Sequence, residues 1–325
     1  MKKHFKKLLL MALMAVMAVG LIAWGTDKSD NESTKEEKTS VTITSLDSSK
    51  NEIELEVPYN PKRIAILDLA SLDIIDELGV GDRVVGMAST SIDYLEKYSN
   101  DASIKNLGTI KEADLEAVME CEPDIIFIGG RLSKSYDALS EIAPVVYLAT
   151  DTNEGLVNSV SKNAKTIASI FGMEDKVDSL MSDFGARIDT IKKISSGKTA
   201  LVGMTTSGSF NLLGNDGRCS LIGVEAGFNN LTAAGSTSTH GNESSFETVV
   251  QQNPDYIFVM DRDSAISTAG AKTAKEIVEN ELVKTTDAYK NNHIIYLEHS
   301  NVWYTAEGGI QALDIMLTDL EKGLK

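Results

Sequence analysis

Hydrophobic and polar positions alternate in the segment that follows residue 40, and continuous apolar runs take over further along the chain. Residues 41–57 (VTITSLDSSKNEIELEV) alternate on both sides of a Ser-Ser-Lys-Asn turn, which predicts a β-hairpin. The later runs predict strands covered on both faces, because buried strands lose the alternation. These runs lie at 61–69, 83–89, 124–130, 144–150, 199–206, 255–262 and 293–299. Helical patterns separate them, so we predict an α/β fold with largely parallel sheets.

One segment of the chain occurs twice. Residues 114–131 read DLEAVMECEPDIIFIGGR, residues 245–262 read SFETVVQQNPDYIFVMDR, and seven positions agree without a gap. Each copy predicts a short helix, a Pro-Asp turn and an apolar strand closed by an arginine, Arg131 or Arg262. The repeat predicts two similar lobes, each a mainly parallel sheet flanked by helices.

The segment between the lobes reads as helix almost throughout. From residue 154 to residue 194 few helix breakers occur, and apolar residues recur at helical spacing. We predict two helices that meet near Gly172, the second being one long linking helix. The predicted organisation is an N-terminal lobe at 41–172, a linking helix at 173–196 and a C-terminal lobe at 197–325, closed by a helix from Ile310 to about Leu324.

The N-terminal segment is typical of a targeting signal. In residues 1–24 four lysines precede an apolar run, which predicts an export signal; a transmembrane helix is the alternative. The end of the segment is similar to a bacterial lipoprotein signal, except that Trp24 stands where the lipid-modified cysteine is expected. Tryptophan has no thiol, so lipidation cannot occur at this position. Residues 25–40 are polar and predict a flexible tether, which suggests a domain held near a membrane surface.

Composition excludes several classes of protein. The formal net charge of the 325 residues is −17, which disfavours nucleic-acid partners. The two cysteines, Cys121 and Cys219, could form a disulfide, but the prediction favours two separate buried thiols. No common catalytic or nucleotide-binding motif occurs, and four histidines disfavour a histidine-rich metal site, so we expect no enzyme and no resident cofactor.

Candidate binding residues fall in loops that follow predicted strands, where ligands enter α/β folds. The loop at 233–245 contains His240, and the loop at 300–309 contains Trp303 and Tyr304. A histidine nitrogen and a tyrosine oxygen could ligate a hard trivalent metal such as Fe³⁺. Arginines could add an anion site, because guanidinium groups match planar, oxygen-rich anions. The candidates are Arg131, Arg218 and Arg262.

These features carry a resemblance to a known family. The repeat, the opening PKRIAILDLASLDIIDELGV and the predicted linking helix resemble the solute-binding proteins of iron-siderophore ABC importers over residues 41–325. The segments GGRLSKSYDAL, NDGRCSLIG, THGNESSFE, PDYIFVMDR and NVWYTAEGG are most similar to binders of catecholate siderophores of the enterobactin and petrobactin type. The resemblance implies the class III periplasmic-binding-protein fold.

The resemblance also implies roles for particular residues. His240 and Tyr304 would complete the iron shell of a ferric siderophore, with Arg131, Arg218 and Arg262 around the anionic complex and Trp303 beside it. Glu116 and Glu247, which hold matching positions in the repeat, would dock on the permease.

The implied partners are a ferric catecholate siderophore, the ABC permease and its ATPase. The chain would act as a monomer at the outer face of the cell membrane. The resemblance implies a lipid anchor there, and Trp24 departs from that pattern. Haem or cobalamin binding remains an alternative from the same superfamily, and a secreted siderophore-processing enzyme is one from another class.

Overall fold

Two β-sheets organise the chain, one in each predicted lobe. The computed structural model describes residues 38–234 and 236–325. The export signal at 1–24, Trp24 and the predicted tether up to residue 37 lie outside the described residues. Within the described part, no helix combines the length and the apolar character needed to cross a bilayer.

The predicted hairpin is present at the start of the described chain. Strand β1 (Ser40–Leu46) pairs antiparallel with β2 (Glu52–Pro58). Asp47 holds the turn, because its Oδ1 accepts hydrogen bonds from the amides of Ser49 at 2.8 Å and Asn51 at 2.9 Å. The tether was predicted to extend to residue 40. The fold instead begins earlier, since the Thr39 carbonyl accepts a bond from the Tyr59 amide at 2.9 Å.

The first lobe contains one parallel sheet with the spatial order β5-β4-β3-β8-β9. A separate two-stranded ribbon, β6-β7, leads into the helix of the first repeat copy. In chain order the elements are β3 (Ile64–Leu67), α1 (Leu69–Glu77), β4 (Val84–Met87), α2 (Glu96–Ser99), β5 (Lys105–Asn106), β6 (Gly108–Thr109), β7 (Glu112–Ala113), α3 (Leu115–Glu120), β8 (Ile125–Ile128), α4 (Tyr136–Ser140) and β9 (Val145–Tyr147).

Three helices connect the lobes: α5 (Leu156–Phe171), α6 (Glu174–Leu180) and α7 (Phe184–Ser195). Helix α5 ends at Gly172 as predicted, with this glycine in the left-handed conformation. The single long linking helix predicted at 173–196 is wrong, because a turn at 181–183 divides it. The Ser182 hydroxyl donates to the Ser179 carbonyl at 2.9 Å, and such a bond competes with the helical backbone pattern.

The second lobe contains a mixed sheet with the order β13-β11-β10-β14-β15, in which β12 also pairs with β10. Strands β12, β14 and β15 run parallel to β10, whereas β11 forms antiparallel pairs with β10 and β13. The elements are β10 (Thr199–Thr206), β11 (Ser209–Leu212), α8 (Ser220–Val224), β12 (Asn229–Asn230), β13 (Asn242–Glu243), α9 (Phe246–Gln252), β14 (Tyr256–Asp261), α10 (Arg262–Ala265), α11 (Ala274–Val278), α12 (Asp287–Lys290), β15 (Ile294–Tyr296), α13 (Ser300–Thr305) and α14 (Ile310–Gly323).

Both faces of the central strands are buried, as their continuous apolar runs predict. In β8, Ile125 and Phe127 join a core shared by the two lobes, while Ile126 and Ile128 point into a core of the first lobe alone. Strand β14 divides its side chains in the same way between the shared core and one of the second lobe. The shared core ties the lobes together on the inner side of both sheets.

Two carboxylates, one buried and one partly buried, cap helix N-termini that are distant in sequence. Asp73 of α1 accepts bonds from the amides of Gln311 and Ala312, each at 2.9 Å, at the start of α14. Glu225, which follows α8, accepts bonds from the first two amides of α5 at 3.0 and 2.7 Å. Each bond satisfies a backbone donor that the helix itself leaves free. The caps fix the loops that precede α5 and α14.

Candidate functional site between the two lobes

Tyr304 lies at the centre of the site, and its neighbour Trp303 anchors the helix that carries it. The Trp303 indole is fully buried, and its Nε1 donates to Asp319 of α14 at 3.0 Å. Asp319 also accepts a bond from the His299 amide at 3.0 Å. The prediction of Trp303 as a ligand contact is therefore wrong, because its side chain is packed in the core. Its role is to fix the position of Tyr304.

The three predicted arginines meet around the Tyr304 ring. The guanidinium carbons lie 5.3 Å (Arg131), 4.5 Å (Arg218) and 5.7 Å (Arg262) from the ring centroid. These distances are within the range of cation–π attraction. The arginines follow β8, precede α8 and follow β14, respectively. The structure thus brings together three arginines that are up to 131 positions apart along the chain.

Hydrogen bonds fix the arginines to different degrees. Arg262 donates to the Tyr304 hydroxyl, the Thr206 hydroxyl and the Asp263 carboxylate, each at 3.2 Å. Arg218 donates to the Tyr304 carbonyl at 3.2 Å and the Thr239 carbonyl at 2.9 Å. Arg131 makes a longer contact, 3.5 Å, to the same Tyr304 carbonyl. Arg262 is thus firmly held, whereas Arg131 keeps most of its donors available.

The clustered cations change the acidity of Tyr304. Burial alone would raise the pKa of its phenol, but the hydrogen bond from Arg262 and the charges of Arg218, Arg262 and Arg131 outweigh that effect and lower it. A lowered pKa favours the phenolate, which is the form that ligates a hard metal ion. Burial, together with the charge of Arg218, lowers the pKa of Arg131.

His240 is an exposed residue of the loop before β13. Partial burial, followed by the charges of Arg262, Arg218, Lys111 and Arg131, lowers the pKa of its imidazole. The ring is thereby biased towards its neutral form, in which one nitrogen can ligate a metal. Lys111, between β6 and β7, is a cation near the site that the sequence did not single out. The backbone of the loop is held by a bond from Asn211 Nδ2 to the His240 carbonyl at 2.8 Å.

A cavity of about 760 Å³ adjoins the arginine cluster. Arg131, Arg218 and Tyr304 line one part of it. The remaining lining includes Asp68, Tyr147 and Glu307, none of which the sequence identified, because their neighbours in the site are distant along the chain. A cavity of this size is within the range typical of small-molecule sites.

Glu307 is a partly buried acid beside the arginines. Its carboxylate accepts a bond from the Cys219 amide at 2.9 Å. Burial raises the pKa of Glu307 to about 7, although the charge of Arg218 acts in the opposite direction. Cys121 and Cys219 are both free and buried, as predicted.

The repeated glutamates lie outside this cavity. Glu116 is in the first turn of α3, after the cap residue Asp114, and Glu247 is in the first turn of α9, after the cap residue Ser245. Both glutamate side chains are exposed. The repeat therefore extends to the capping of its helices and presents one acidic group on each lobe.

A second group of potential metal ligands contains Glu298, His299 and Asp319. Its polar atoms are already engaged within the protein. Asp319 accepts bonds from His299 Nδ1 at 2.7 Å and from the Trp303 indole, and Glu298 pairs with Lys322 at 2.9 Å. We interpret this group as structural.

The two lobes, the cavity lined by residues of both and the cationic cluster at its edge define a two-lobed solute-binding protein. The chain belongs to the periplasmic binding protein family, whose model matches residues 64–300. This result confirms the resemblance seen in the sequence.

Individual relatives have similar length and similar structure. The chain is 35% identical to the petrobactin-binding protein YclQ of Bacillus subtilis, over 98% of this chain and 99% of the relative. It is 27% identical to the ferric-anguibactin-binding protein FatB of Vibrio anguillarum, over 82% and 84% of the two chains. The crystal structure of YclQ matches with a TM-score of 0.80, covering 88% of this chain and 99% of YclQ. That of the catecholate-siderophore binding protein VctP of Vibrio cholerae matches with a TM-score of 0.78 at 30% identity, covering 87% and 100%.

Proposed function

We propose that this chain is the extracytoplasmic solute-binding component of an ABC importer and that its ligand is a ferric catecholate siderophore. The observation that carries the proposal is the convergence of Arg131, Arg218 and Arg262 on Tyr304 at the edge of the cavity. A ferric catecholate presents several negative charges on planar aromatic oxygens. Guanidinium groups in a partly dry site attract such an anion more strongly than they would in water.

Within this function, Tyr304 and His240 complete the coordination of a ferric ion whose siderophore supplies four donor atoms. The arginines favour the Tyr304 phenolate, and the same charges favour a neutral His240. Iron enters and leaves with the siderophore, so the protein needs no cofactor of its own. We propose binding without catalysis, consistent with relatives that are named for binding.

Delivery requires a partner in the membrane. Glu116 and Glu247 supply one exposed carboxylate on each lobe, in equivalent places. We propose that they dock on basic residues of a permease driven by an ATPase, and that the protein acts as a monomer at the outer face of the cell membrane. Several relatives are described as lipoproteins, and an anchor in this chain would have to differ from theirs at Trp24.

Fluorescence titration tests the proposed ligand class. The chain has two tryptophans, Trp24 in the predicted export segment and Trp303 next to Tyr304. In protein that lacks the export segment, Trp303 alone reports on the site. We expect saturable quenching by ferric bis- and tris-catecholates and weaker responses to haemin and cobalamin. Tighter binding of haemin or cobalamin, or turnover of the siderophore, would contradict the proposal.

A further inference from the structure

The loop that carries His240 is held by Asn211 of β11. Strand β11 pairs antiparallel with β13, which follows the loop, and Asn211 lies opposite Glu243 in this pairing. The Asn211 Nδ2 atom donates to the His240 carbonyl at 2.8 Å. Gly241 allows this close approach, because a Cβ atom at its position would lie 2.8 Å from the Asn211 Cβ atom. Asn211 is therefore in direct contact with the backbone of a proposed iron ligand.

Asn211 is a polar residue on the inner side of the second-lobe sheet. It lies opposite Met204 of β10, whose side chain belongs to the core shared by the two lobes. Directly paired residues of neighbouring strands point to the same face of a sheet, so the Asn211 side chain also points inward. Its neighbours Phe210 and Leu212 belong to the separate core of the second lobe. Only 8% of Asn211 is exposed, so the sheet buries an amide on the side where the lobes meet.

The amide oxygen of Asn211 is buried and has no hydrogen-bond partner in the described part of the chain. The orientation of the amide is fixed, because the reverse orientation would place Oδ1 against the His240 carbonyl, and both atoms are acceptors. A buried acceptor without a partner destabilises a protein, and such atoms are rare. An apolar side chain at this position would avoid the cost. The unpaired oxygen beside His240 therefore indicates a partner that arrives when the site is filled.

The His240 ring has hydrogen-bonding capacity to spare. Of the histidines in the described chain, His293 and His299 make ring hydrogen bonds, to the Asp255 carbonyl at 3.1 Å and to Asp319 at 2.7 Å. The His240 ring makes none with the described residues. A neutral imidazole that ligates a metal through one nitrogen carries a proton on the other, and this N–H almost always donates to a nearby oxygen. That oxygen fixes the orientation and the tautomer of the ring.

We propose that Asn211 is the positioning residue for His240 in iron binding. Its Nδ2 holds the backbone of the loop, and its Oδ1 accepts the N–H of the imidazole when the other ring nitrogen ligates the ferric ion. One side chain thereby sets both the place of the loop and the tautomer of the ring. The inference rests on the proposed function and adds to it a residue that acts on the iron through His240.

A double-mutant cycle tests this role with two ferric ligands. A tetradentate bis-catecholate leaves iron positions for the protein, whereas a hexadentate tris-catecholate leaves none. Asn211→Leu keeps a similar side-chain volume and removes both polar atoms. We expect it to weaken the bis-catecholate about tenfold, as loss of a hydrogen bond to a metal-ligating histidine does, and to leave the tris-catecholate within about twofold. In the His240→Ala background the same change should cost nothing further, because the two residues act as a unit.

Gln252 provides the matched control. Its Oε1 is also buried without a partner in the described chain, but it lies at the end of α9, away from the residues that line the cavity. Gln252→Leu should leave both affinities unchanged. Equal losses for the two ligands in Asn211→Leu, or additive losses in the cycle, would overturn the positioning role. Unchanged bis-catecholate affinity in His240→Ala would overturn iron ligation by His240 and this role with it. Failure of both ligands to bind the unaltered protein would overturn the catecholate function itself.

A measurement on the unaltered protein does not depend on the folding of a variant. Gallium, a diamagnetic trivalent ion, replaces iron, and NMR of protein with isotope-labelled histidine detects the ring N–H of His240. In the gallium bis-catecholate complex we expect a His240 ring proton that exchanges slowly with water, and fast exchange without the ligand. Exchange that is equally fast with and without the ligand would contradict the hydrogen bond to Asn211 Oδ1.

Discussion

The two copies of the repeat share a scaffold but hold their arginines differently. In each copy a capped short helix carries an exposed glutamate, a Pro-Asp turn follows, and a buried strand leads to an arginine. The aspartates of the two turns also make equivalent hydrogen bonds. Asp124 accepts a bond from the Arg63 amide at 2.9 Å, and Asp255 accepts one from the Thr199 amide at 2.8 Å.

The copies diverge in the two residues before the arginine. In the second lobe, Asp261 caps α10 through the Ser264 amide at 3.0 Å, and Arg262 is held by Asp263 and Tyr304. In the first lobe the equivalent residues are Gly129 and Gly130, and Arg131 has a single long contact to Tyr304. The repeat therefore determines the position of each arginine. The two residues before the arginine determine how firmly it is held and which other side chains line the cavity.

Removal of the three arginines should have the largest effect on ligand binding. Each charge-assisted hydrogen bond contributes roughly 1.5–3 kcal/mol, so each Arg→Ala change should weaken a ferric catecholate about ten- to a hundredfold. The triple variant of Arg131, Arg218 and Arg262 should lose more than about a thousandfold. Calorimetric titration measures this, with the exposed Lys193→Ala as a control for lost positive charge. Unchanged affinity in the triple variant would eliminate the site.

The glutamates that the copies share should affect transport and leave binding intact. Glu116→Ala combined with Glu247→Ala should preserve siderophore affinity and abolish stimulation of the reconstituted importer's ATPase. Glu174 and Glu141 are exposed glutamates outside the repeat, so their double Ala variant is the matched control. Normal stimulation by the Glu116/Glu247 variant would show that the docking assignment is wrong.

The proposed metal ligands both belong to the second lobe, so the proposal assigns the direct iron contacts to that lobe alone. His240→Ala with Tyr304→Phe should weaken a ferric bis-catecholate about tenfold or more, whereas a hexadentate tris-catecholate saturates the metal and should lose little. Acid should enhance the contrast, because protonation of Tyr304 and His240 removes both protein ligands as the pH falls. Parallel titrations of the two ligands across pH measure this. Equal losses for both would mean that the residues only line the pocket.

The smallest expected effect is a shift in the pKa of the Tyr304 phenol, and it distinguishes the two repeated arginines directly. Arg262 donates to the Tyr304 hydroxyl and Arg131 only to its carbonyl, so Arg262→Ala should raise the phenol pKa more than Arg131→Ala does. Ultraviolet titration of tyrosine ionisation, with Tyr304→Phe subtracted, reports the shift. A larger shift in Arg131→Ala would reverse the comparison.

Local patterns in the sequence predicted much of the fold. The hairpin, the run at 199–206 that is β10 residue for residue, and the end of α5 at Gly172 depend on neighbouring residues and were visible without the structure. The convergence of the three arginines on one cleft was predicted from the sequence and the family resemblance, whereas the central place of Tyr304 among them was not. The division of the linking helix was missed, because it depends on a local side-chain bond of Ser182.

Contacts between distant segments could not be predicted in this way. The burial of Trp303 depends on Asp319, 16 residues away, and the caps of α14 and α5 come from Asp73 and Glu225. Asp68 follows one ordinary buried strand and Tyr147 ends another, and nothing in their local sequence distinguishes them. The glycine pair before Arg131 stands where the second copy has Met260 and Asp261, and this local difference is the signal that could have drawn attention to this edge of the cavity.

A crystal structure of the protein with a ferric bis-catecholate tests the central claim most directly. We predict that the iron lies between the lobes with Tyr304 Oη and a His240 ring nitrogen in its coordination shell, and with Arg131, Arg218 and Arg262 against the catecholate oxygens. Iron bound away from Tyr304, with the three arginines unchanged around an empty cleft, would contradict the account.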